Sequence, residues 1–175
     1  MSSSEKRRPA ERTLTPTPHK ISDEPLQFVW GFKDRQSRWV IPPIYDTVWG
    51  FRDGIAKVCK GGKWGFIDSK EQEVIEIKYQ QAGFFDKGYL QVKHDGYWGI
   101  IDREERTIIP LIYEWVSGIS DDLFVVRKGD HYGAVDVQHR VIVPIEYDHV
   151  NPFVDGRAQA LRDGRRVQLL RKDFL

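Results

Sequence analysis

The sequence of 175 residues has the length of one ordinary domain, and its net charge of +1 gives no general field that would attract nucleic acid or an anionic membrane. The single cysteine, Cys59, excludes an intramolecular disulfide, and no apolar run of about 18 residues is present to form a transmembrane helix. We therefore expect a globular protein of a reducing compartment, with the cytoplasm as its location.

The chain begins with a segment of different composition. Residues 1–20 carry five Lys or Arg against two Glu, with Thr-Pro pairs and no apolar run, which excludes a secretory signal peptide. A basic arm of this kind could contact nucleic acid, but the composition favours a disordered, solubilising tail. We predict a disordered basic tail over 1–20 and a single repeat domain over 21–175.

The domain is organised by an internal repeat of 34 residues that aligns without a gap. Each copy carries an aromatic residue followed by glycine, then an aspartate, a tyrosine and a further apolar position. The repeated positions are Trp30, Trp64, Trp98 and Tyr132; Gly31, Gly65, Gly99 and Gly133; Asp34, Asp68, Asp102 and Asp136; Tyr45, Tyr79, Tyr113 and Tyr147; and Phe51, Phe85, Ile119 and Phe153.

A period of 34 residues is also typical of tetratricopeptide helices. Those helices need about a dozen residues of 3.6-residue periodicity, whereas Gly and Pro interrupt this chain too often and its short apolar runs are β-branched or aromatic. The sequence therefore predicts strands.

The second copy illustrates the predicted elements in chain order. Residues 55–60 alternate and predict a strand buried on one face, and Gly61-Gly62 follows as a hairpin turn. The segment WGFID, 64–68, carries apolar groups on both faces and predicts a central strand, in which Gly65 allows an aromatic ring or a neighbouring backbone to approach. A polar turn, a short third strand at Val74-Ile75 and a loop to the next copy complete the unit. In the other copies we expect proline to end this third strand, because proline has no N–H for the ladder.

The segments WGFID, WGIID and YGAVD, each followed by a polar turn and a VIP-like segment, resemble the WG repeat (also called KWG) of mainly bacterial proteins. The resemblance covers about 28–171; Tyr132 replaces Trp in the fourth copy, and Arg166-Val167 stands where Trp-Gly is expected. It implies an all-β scaffold and supplies no catalytic residues. We expect tandem repeats of short antiparallel strands in an open or curved β-stack, with a closed propeller-like ring as the alternative.

The residues that could carry chemistry have simpler structural interpretations. The repeated aspartates precede polar turns, where Asp hydrogen-bonds nearby backbone amides, so metal binding is disfavoured. No histidine pair has zinc-motif spacing, and no glycine-rich loop precedes a helix. A Cys59–His94 nucleophile would lack an orienting group. We expect no metal, no cofactor and no enzymatic activity.

We assign the repeated aromatic of the WG motif to the core, and aromatic residues outside this repeated core slot indicate a binding surface instead. Trp49 and Trp115 lie in the same loop of different copies, Phe84 lies in that loop of the intervening copy, and His149 aligns with Trp115. Their alternative role is to fill local gaps between uneven copies. We predict that Trp49, Phe84, Trp115 and His149 form a row that binds a partner.

These observations predict a non-catalytic protein–protein interaction module, with an immunity or adaptor role by analogy. The alternatives are a carbohydrate- or cell-wall-binding module and an enzyme of unrecognised type. The expected partner is another protein, whereas nucleic acid, a membrane and a small-molecule cofactor are disfavoured.

Overall fold

The computed structural model describes residues 13–23 and 26–174 and divides the chain into two compact units, residues 1–77 and 78–175. Within the described residues, all regular elements are strands apart from a single 3-10 turn, Arg171–Phe174, and no helix has the length and apolar character needed to span a membrane. The strands form small antiparallel sheets in tandem, and none of these sheets closes on itself. The predicted all-β fold of tandem repeats is confirmed.

The first unit contains two sheets, one of three strands in the order β1-β2-β3 and one of four in the order β4-β5-β6-β7. Gly61 and Gly62 turn the chain between β5 and β6 with φ values of 58° and 71°, which a glycine adopts without strain. The bounds are β1 Thr15–Asp23, β2 Leu26–Lys33, β3 Trp39–Tyr45, β4 Thr47–Val48, β5 Ile55–Lys60, β6 Lys63–Asp68 and β7 Glu73–Tyr79.

The second unit contains two four-stranded sheets, β8 to β11 and β12 to β15, and a three-stranded sheet, β16-β17-β18. Each sheet is built from strands that are consecutive in the chain, so its hydrogen bonds join residues that lie within one repeat length of each other in the sequence. The bounds are β8 Gln81–Ala82, β9 Leu90–His94, β10 Tyr97–Ile101, β11 Thr107–Tyr113, β12 Trp115–Val116, β13 Leu123–Lys128, β14 His131–Asp136, β15 Val141–Tyr147, β16 His149–Val150, β17 Arg157–Arg162 and β18 Arg165–Leu170.

The glycine of the WG motif lies where a neighbouring strand comes closest. A Cβ atom on Gly99 would lie 2.6 Å from the carbonyl oxygen of Ile109, and one on Gly133 would lie 2.6 Å from that of Val143. The approaching group is therefore the backbone of the fourth strand. This strand bulges as it passes the glycine, because the register shifts between Trp98 and Ile100.

The core lies between successive sheets within each unit. In the second unit, Leu123 and Val125 of β13 pack with Ala158 and Ala160 of the last sheet, while Phe124 faces the preceding sheet. Strand β13 is therefore buried on both faces, and the expectation that the alternating strands are buried on one face is wrong here. The reason is that the sheet of β12 to β15 packs against a sheet on either side, β8 to β11 on one and β16 to β18 on the other.

Three other expectations change. The loop after the repeated tyrosine contains a two-residue strand, such as β4, which is too short to show alternation. In the three copies whose third predicted strand contains proline, the strand runs through that residue, as in Trp39–Tyr45, because an edge strand does not require every N–H. The predicted tail of 1–20 is wrong for residues 15–20, which belong to β1, and the buried side chain of Leu14 joins the core; residues 1–12 lie outside the described part.

Candidate functional site

The repeated aspartates brace the turns that follow their strands. In Asp102, Oδ1 accepts hydrogen bonds from the backbone amides of Glu104 at 3.0 Å and Arg106 at 2.9 Å, and Oδ2 accepts from Arg106 Nε at 2.6 Å. The amide bonds recur in the other three copies. Burial of Asp136 opposes its ionisation, but hydrogen bonds from Arg140 outweigh that effect and lower the pKa of the carboxyl. The turn interpretation of these residues is confirmed.

Cys59 lies in an environment that keeps the thiol protonated. It is buried, and its Sγ lies 3.9 Å from Asp46 Oδ2. Burial and the neighbouring carboxylate raise the pKa of Cys59, which is opposite to the shift that activates a nucleophile. Throughout residues 13–23 and 26–174, no group of three His, Cys, Asp or Glu side chains is placed to hold a metal ion.

Trp49, the first predicted binding residue, is 40% exposed and packs inside the first unit. Its ring centroid lies 5.1 Å from that of Trp64, and Lys57 Nζ lies 4.9 Å and 4.6 Å from the two centroids. Lys57 is only 8% exposed, and burial lowers the pKa of its ammonium group. The ring of Trp49 therefore covers a buried cation, which is a structural role.

Phe84, the second predicted residue, belongs to the second unit and is 48% exposed. It borders a small cavity together with Tyr89 and Phe124. The amide of Gln91, also at this cavity, donates from Nε2 to the carbonyl oxygen of Val116 at 2.6 Å.

Trp115 and His149 each contact the ring of Tyr132. The ring centroid of Tyr132 lies 6.2 Å from the ring centroid of Trp115 and 5.0 Å from that of His149, with interplanar angles of 58° and 61°. Trp115 is 38% exposed and His149 is exposed as well. We call these three residues, Trp115, Tyr132 and His149, the aromatic surface.

Short strands hold the aromatic surface in place. Trp115 opens β12 and pairs across the sheet with Arg127 of β13, which in turn pairs with Tyr132 of β14. The Nε of Arg127 is buried and has no hydrogen-bond partner among the described residues. His149 opens β16, and its Nε2 lies 2.9 Å from Asn151 Oδ1. These strands fix the backbone positions of the three residues that carry the rings.

An open groove of about 490 Å³ lies beside His149 on the last sheet. Four of the residues that line it have polar side chains, and none is acidic. The lining residues are His149, Asn151, Gln159, Ala160, Leu161 and Arg166.

The structure thus joins two of the four predicted residues, Trp115 and His149, through a third that was assigned to the core. Tyr132 is half-buried, as are Trp64 and Trp98, so the aromatic of the WG motif lies at the border of the core. Sequence reasoning also missed Arg166 and the polar residues of the groove. The signal that could have found them is the departure from the repeat at Tyr132 and at Arg166-Val167.

Comparison with known proteins gives a family. No curated protein matches the sequence. Similar solved structures are KlHsv2 with loop 6CD replaced by a Gly-Ser linker, at 12% identity and a TM-score of 0.48 over 83% of this chain and 58% of that one, and a eukaryotic initiation factor, at 8% identity and a TM-score of 0.45 over 92% and 50%. The chain thus spans about half the length of these structures. The family model of the WG containing repeat matches residues 30–64, 64–98, 98–130 and 132–165, and the chain belongs to this family.

Proposed function

We propose that this protein is a non-catalytic module that binds another protein through the aromatic surface. The observation that carries the proposal is the contact of Tyr132 with both Trp115 and His149, which joins exposed rings from two successive sheets. Aromatic side chains lose little conformational entropy on binding and dominate the energetics of many interfaces.

The polar surroundings support the same proposal. The groove beside His149 contributes Asn151, Gln159 and Arg166, which would form a hydrogen-bonding rim around an apolar centre.

A carbohydrate- or cell-wall-binding module is the other candidate, and the ring geometry favours it less. Sugar rings stack on flat, freely accessible aromatic faces. Here the three rings are mutually tilted by 58° and 61° and pack against one another, so they present edges and part-faces. Such an uneven aromatic surface suits the side chains of a protein partner.

The biological role that we propose for the protein is that of a cytoplasmic adaptor or immunity protein.

The proposal is tested with the full chain and the variant Trp115→Ser. A protein retained from the native host by the wild type is purified, and its affinity is measured by calorimetry. We expect Trp115→Ser to weaken binding by at least about tenfold, or about 1.4 kcal/mol, while circular dichroism and urea unfolding remain close to wild type.

Trp39→Ser is the matched control, because Trp39 and Trp115 are both 38% exposed. It should leave the affinity unchanged. Equal affinity of Trp115→Ser and the wild type would contradict the proposal. Retention of the wild type on insoluble glycan, abolished by Trp115→Ser, would favour the carbohydrate-binding alternative.

A further inference from the structure

The last sheet has two faces of opposite character. On one face, Ala158, Ala160 and Leu169 are buried in the core. On the other, Arg157, Gln159, Arg166 and Gln168 are exposed and Leu161 is half-buried. The register places Gln159 opposite Gln168 and Leu161 opposite Arg166. Half-buried Leu170 lies on the same side, opposite Arg157. We call Arg157, Gln159, Leu161, Arg166 and Gln168 the polar face.

The polar face replaces apolar positions of the repeat. One repeat earlier, the residues that correspond to Arg157, Gln159 and Gln168 are fully buried between sheets. The last copy therefore has polar side chains at four positions of this face where the preceding copy has apolar or aromatic ones. A face that packs against a neighbouring sheet in the preceding copy is thus a solvent-exposed face in the last one. The earlier counterparts of Arg157, Gln159, Arg166 and Gln168 are Leu123, Val125, Tyr132 and Ala134.

The arginines of the polar face have no acidic partner among the described residues. Other arginines form ion pairs. The Nε atoms of Arg106 and Arg140 lie 2.6 Å from the Oδ2 atoms of Asp102 and Asp136, and Arg162 Nη2 lies 3.0 Å from Glu146 Oε1. No such contact involves Arg157 or Arg166 within the described ranges. The groove on this face also has no acidic lining residue. The face is therefore positive and open to an external anion.

The edge of β18 does not offer the strand pairing that the other WG strands use. In β10 the fourth strand passes so close to Gly99 that a Cβ atom there would lie 2.6 Å from the Ile109 carbonyl oxygen. The corresponding residue in β18 is Val167, whose Cβ would block the same approach. A partner must therefore contact the side chains of the polar face rather than add a strand of the repeat type.

We propose that the polar face binds an extended acidic segment of the partner protein, an inference that rests on the proposed binding function. Carboxylates would pair with Arg157 and Arg166, and the amides of Gln159 and Gln168 would hydrogen-bond the segment between them. Arg157 lies four residues from Leu161, the cross-strand neighbour of Arg166, so the backbones of Arg157 and Arg166 are separated by about 13 Å along the strand direction, at about 3.3 Å per residue. The segment should carry acidic residues four positions apart.

The probe is a short fluorescein-labelled peptide with two glutamates four residues apart in a Gly-Ser background. Binding to the full chain is followed by fluorescence anisotropy at low ionic strength. We expect saturable binding that weakens with added salt, and a loss of at least about tenfold in affinity for the double variant R157Q/R166Q. The corresponding peptide with two lysines should not bind.

The matched control is R165Q/K172Q, which removes the same two charges from exposed positions outside the polar face. It should retain affinity within about threefold of the wild type. Equal losses in both double variants would overturn the proposal, because only net charge would then matter. Absence of peptide binding, or equal competition by single-stranded DNA, would also overturn it.

The two proposals fail separately. If the purified host partner depends on Trp115 and is indifferent to R157Q/R166Q, the binding function stands and the acidic segment is excluded. If the glutamate peptide requires the two arginines while Trp115→Ser leaves host-partner binding unchanged, the polar face binds anions without the aromatic surface. Circular dichroism of each variant confirms that the exposed substitutions leave the fold intact.

Discussion

Four-stranded sheets such as β8 to β11 differ from the three-stranded sheets β1-β2-β3 and β16-β17-β18 in the residues that would face a fourth strand. In β18, Val167 fills the space that Gly99 leaves open for a fourth strand. In β1, Pro16 and Pro18 pair with Phe32 and Trp30. The corresponding residues of β5 are Lys57 and Cys59, which pair with Phe66 and Trp64.

The prolines matter because of the strand they would face. The carbonyl oxygens of Lys57 and Cys59 accept bonds from the amides of Trp49 at 2.9 Å and Asp46 at 2.8 Å, so these residues turn their backbone groups toward β4. Pro16 and Pro18 keep their carbonyl oxygens but have no N–H to offer on that side, so a strand beside them could form only part of its hydrogen bonds. One incomplete sheet is thus limited by a missing donor and the other by an added side chain, and both substitutions blunt a sheet edge.

The largest expected effect comes from the residue after the WG glycine. Ile100 in β10 is 1% exposed, whereas its counterpart in β18, Gln168, is exposed. We expect Ile100→Ala to lower the free energy of unfolding by about 2–5 kcal/mol, because it leaves a cavity between packed sheets. Gln168→Ala should change it by less than about 0.5 kcal/mol. Urea unfolding measures both, and similar losses would show that β18 is packed like the other WG strands.

A smaller effect is expected at the glycine itself. In Gly99→Ala the new methyl group would lie 2.6 Å from the Ile109 carbonyl oxygen and 2.9 Å from Leu111 Cγ. We expect a loss of about 1–3 kcal/mol from the forced shift of β11. Gly118→Ala is the control, since no heavy atom lies within 4 Å of its Cβ position. Equal thermal unfolding midpoints for Gly99→Ala and Gly118→Ala would exclude the proposed steric role of Gly99.

The turn aspartates give a pH-dependent contrast, because the last sheet has Leu170 where β14 has Asp136. Hydrogen bonds lower the pKa values of Asp34, Asp102 and Asp136 from 3.8, so their contribution is present above about pH 4 and is lost as pH falls through the lowered values. Asp136→Asn should cost about 1 kcal/mol at pH 7 and reduce the acid dependence of unfolding. An unchanged acid profile would show that Asp136 does not contribute.

The smallest effect is expected at Val167. This side chain is half-buried against the core, and no fourth strand lies beside it among the described residues. Val167→Ala should therefore cost about 0.8 kcal/mol or less, from the partial loss of buried apolar surface. A loss as large as that of Ile100→Ala would mean that the edge of β18 is covered in solution, for instance by a second copy of the chain.

The sequence was sufficient for features that depend on local chemistry. The positions of β5 and β6, the turn role of Asp102 and the close approach at Gly65 follow from alternation, hydrogen-bonding capacity and the absence of a side chain. The strand at 15–20 was missed because TPTPHK has no apolar alternation, and its pairing with β2 overrides that weak local preference.

The candidate site was predictable only in part. Trp115 stood out because the repeat does not require it, and His149 because it aligns with Trp115, but Tyr132 was assigned to the core along with Trp64 and Trp98. Whether a ring at this position is covered depends on its neighbours from other strands, such as the short β12 and β16, and their contacts are not encoded in spacing. Arg166 was recognised as a departure from the repeat, whereas its groove arises only from the packing of β16, β17 and β18.

The tyrosine of the repeat joins neighbouring copies over a fixed sequence distance. Tyr79 donates to Glu105 Oε1 at 2.8 Å, and the hydroxyl of Tyr113 lies 2.7 Å from His139 Nε2, each pair being 26 residues apart. Such contacts close loops of modest length, as do the ladders within each sheet, so the entropy cost of forming them is small. Local pairing of this kind should let the chain fold faster than a β-sandwich of equal size, whose strands must meet across long stretches of sequence.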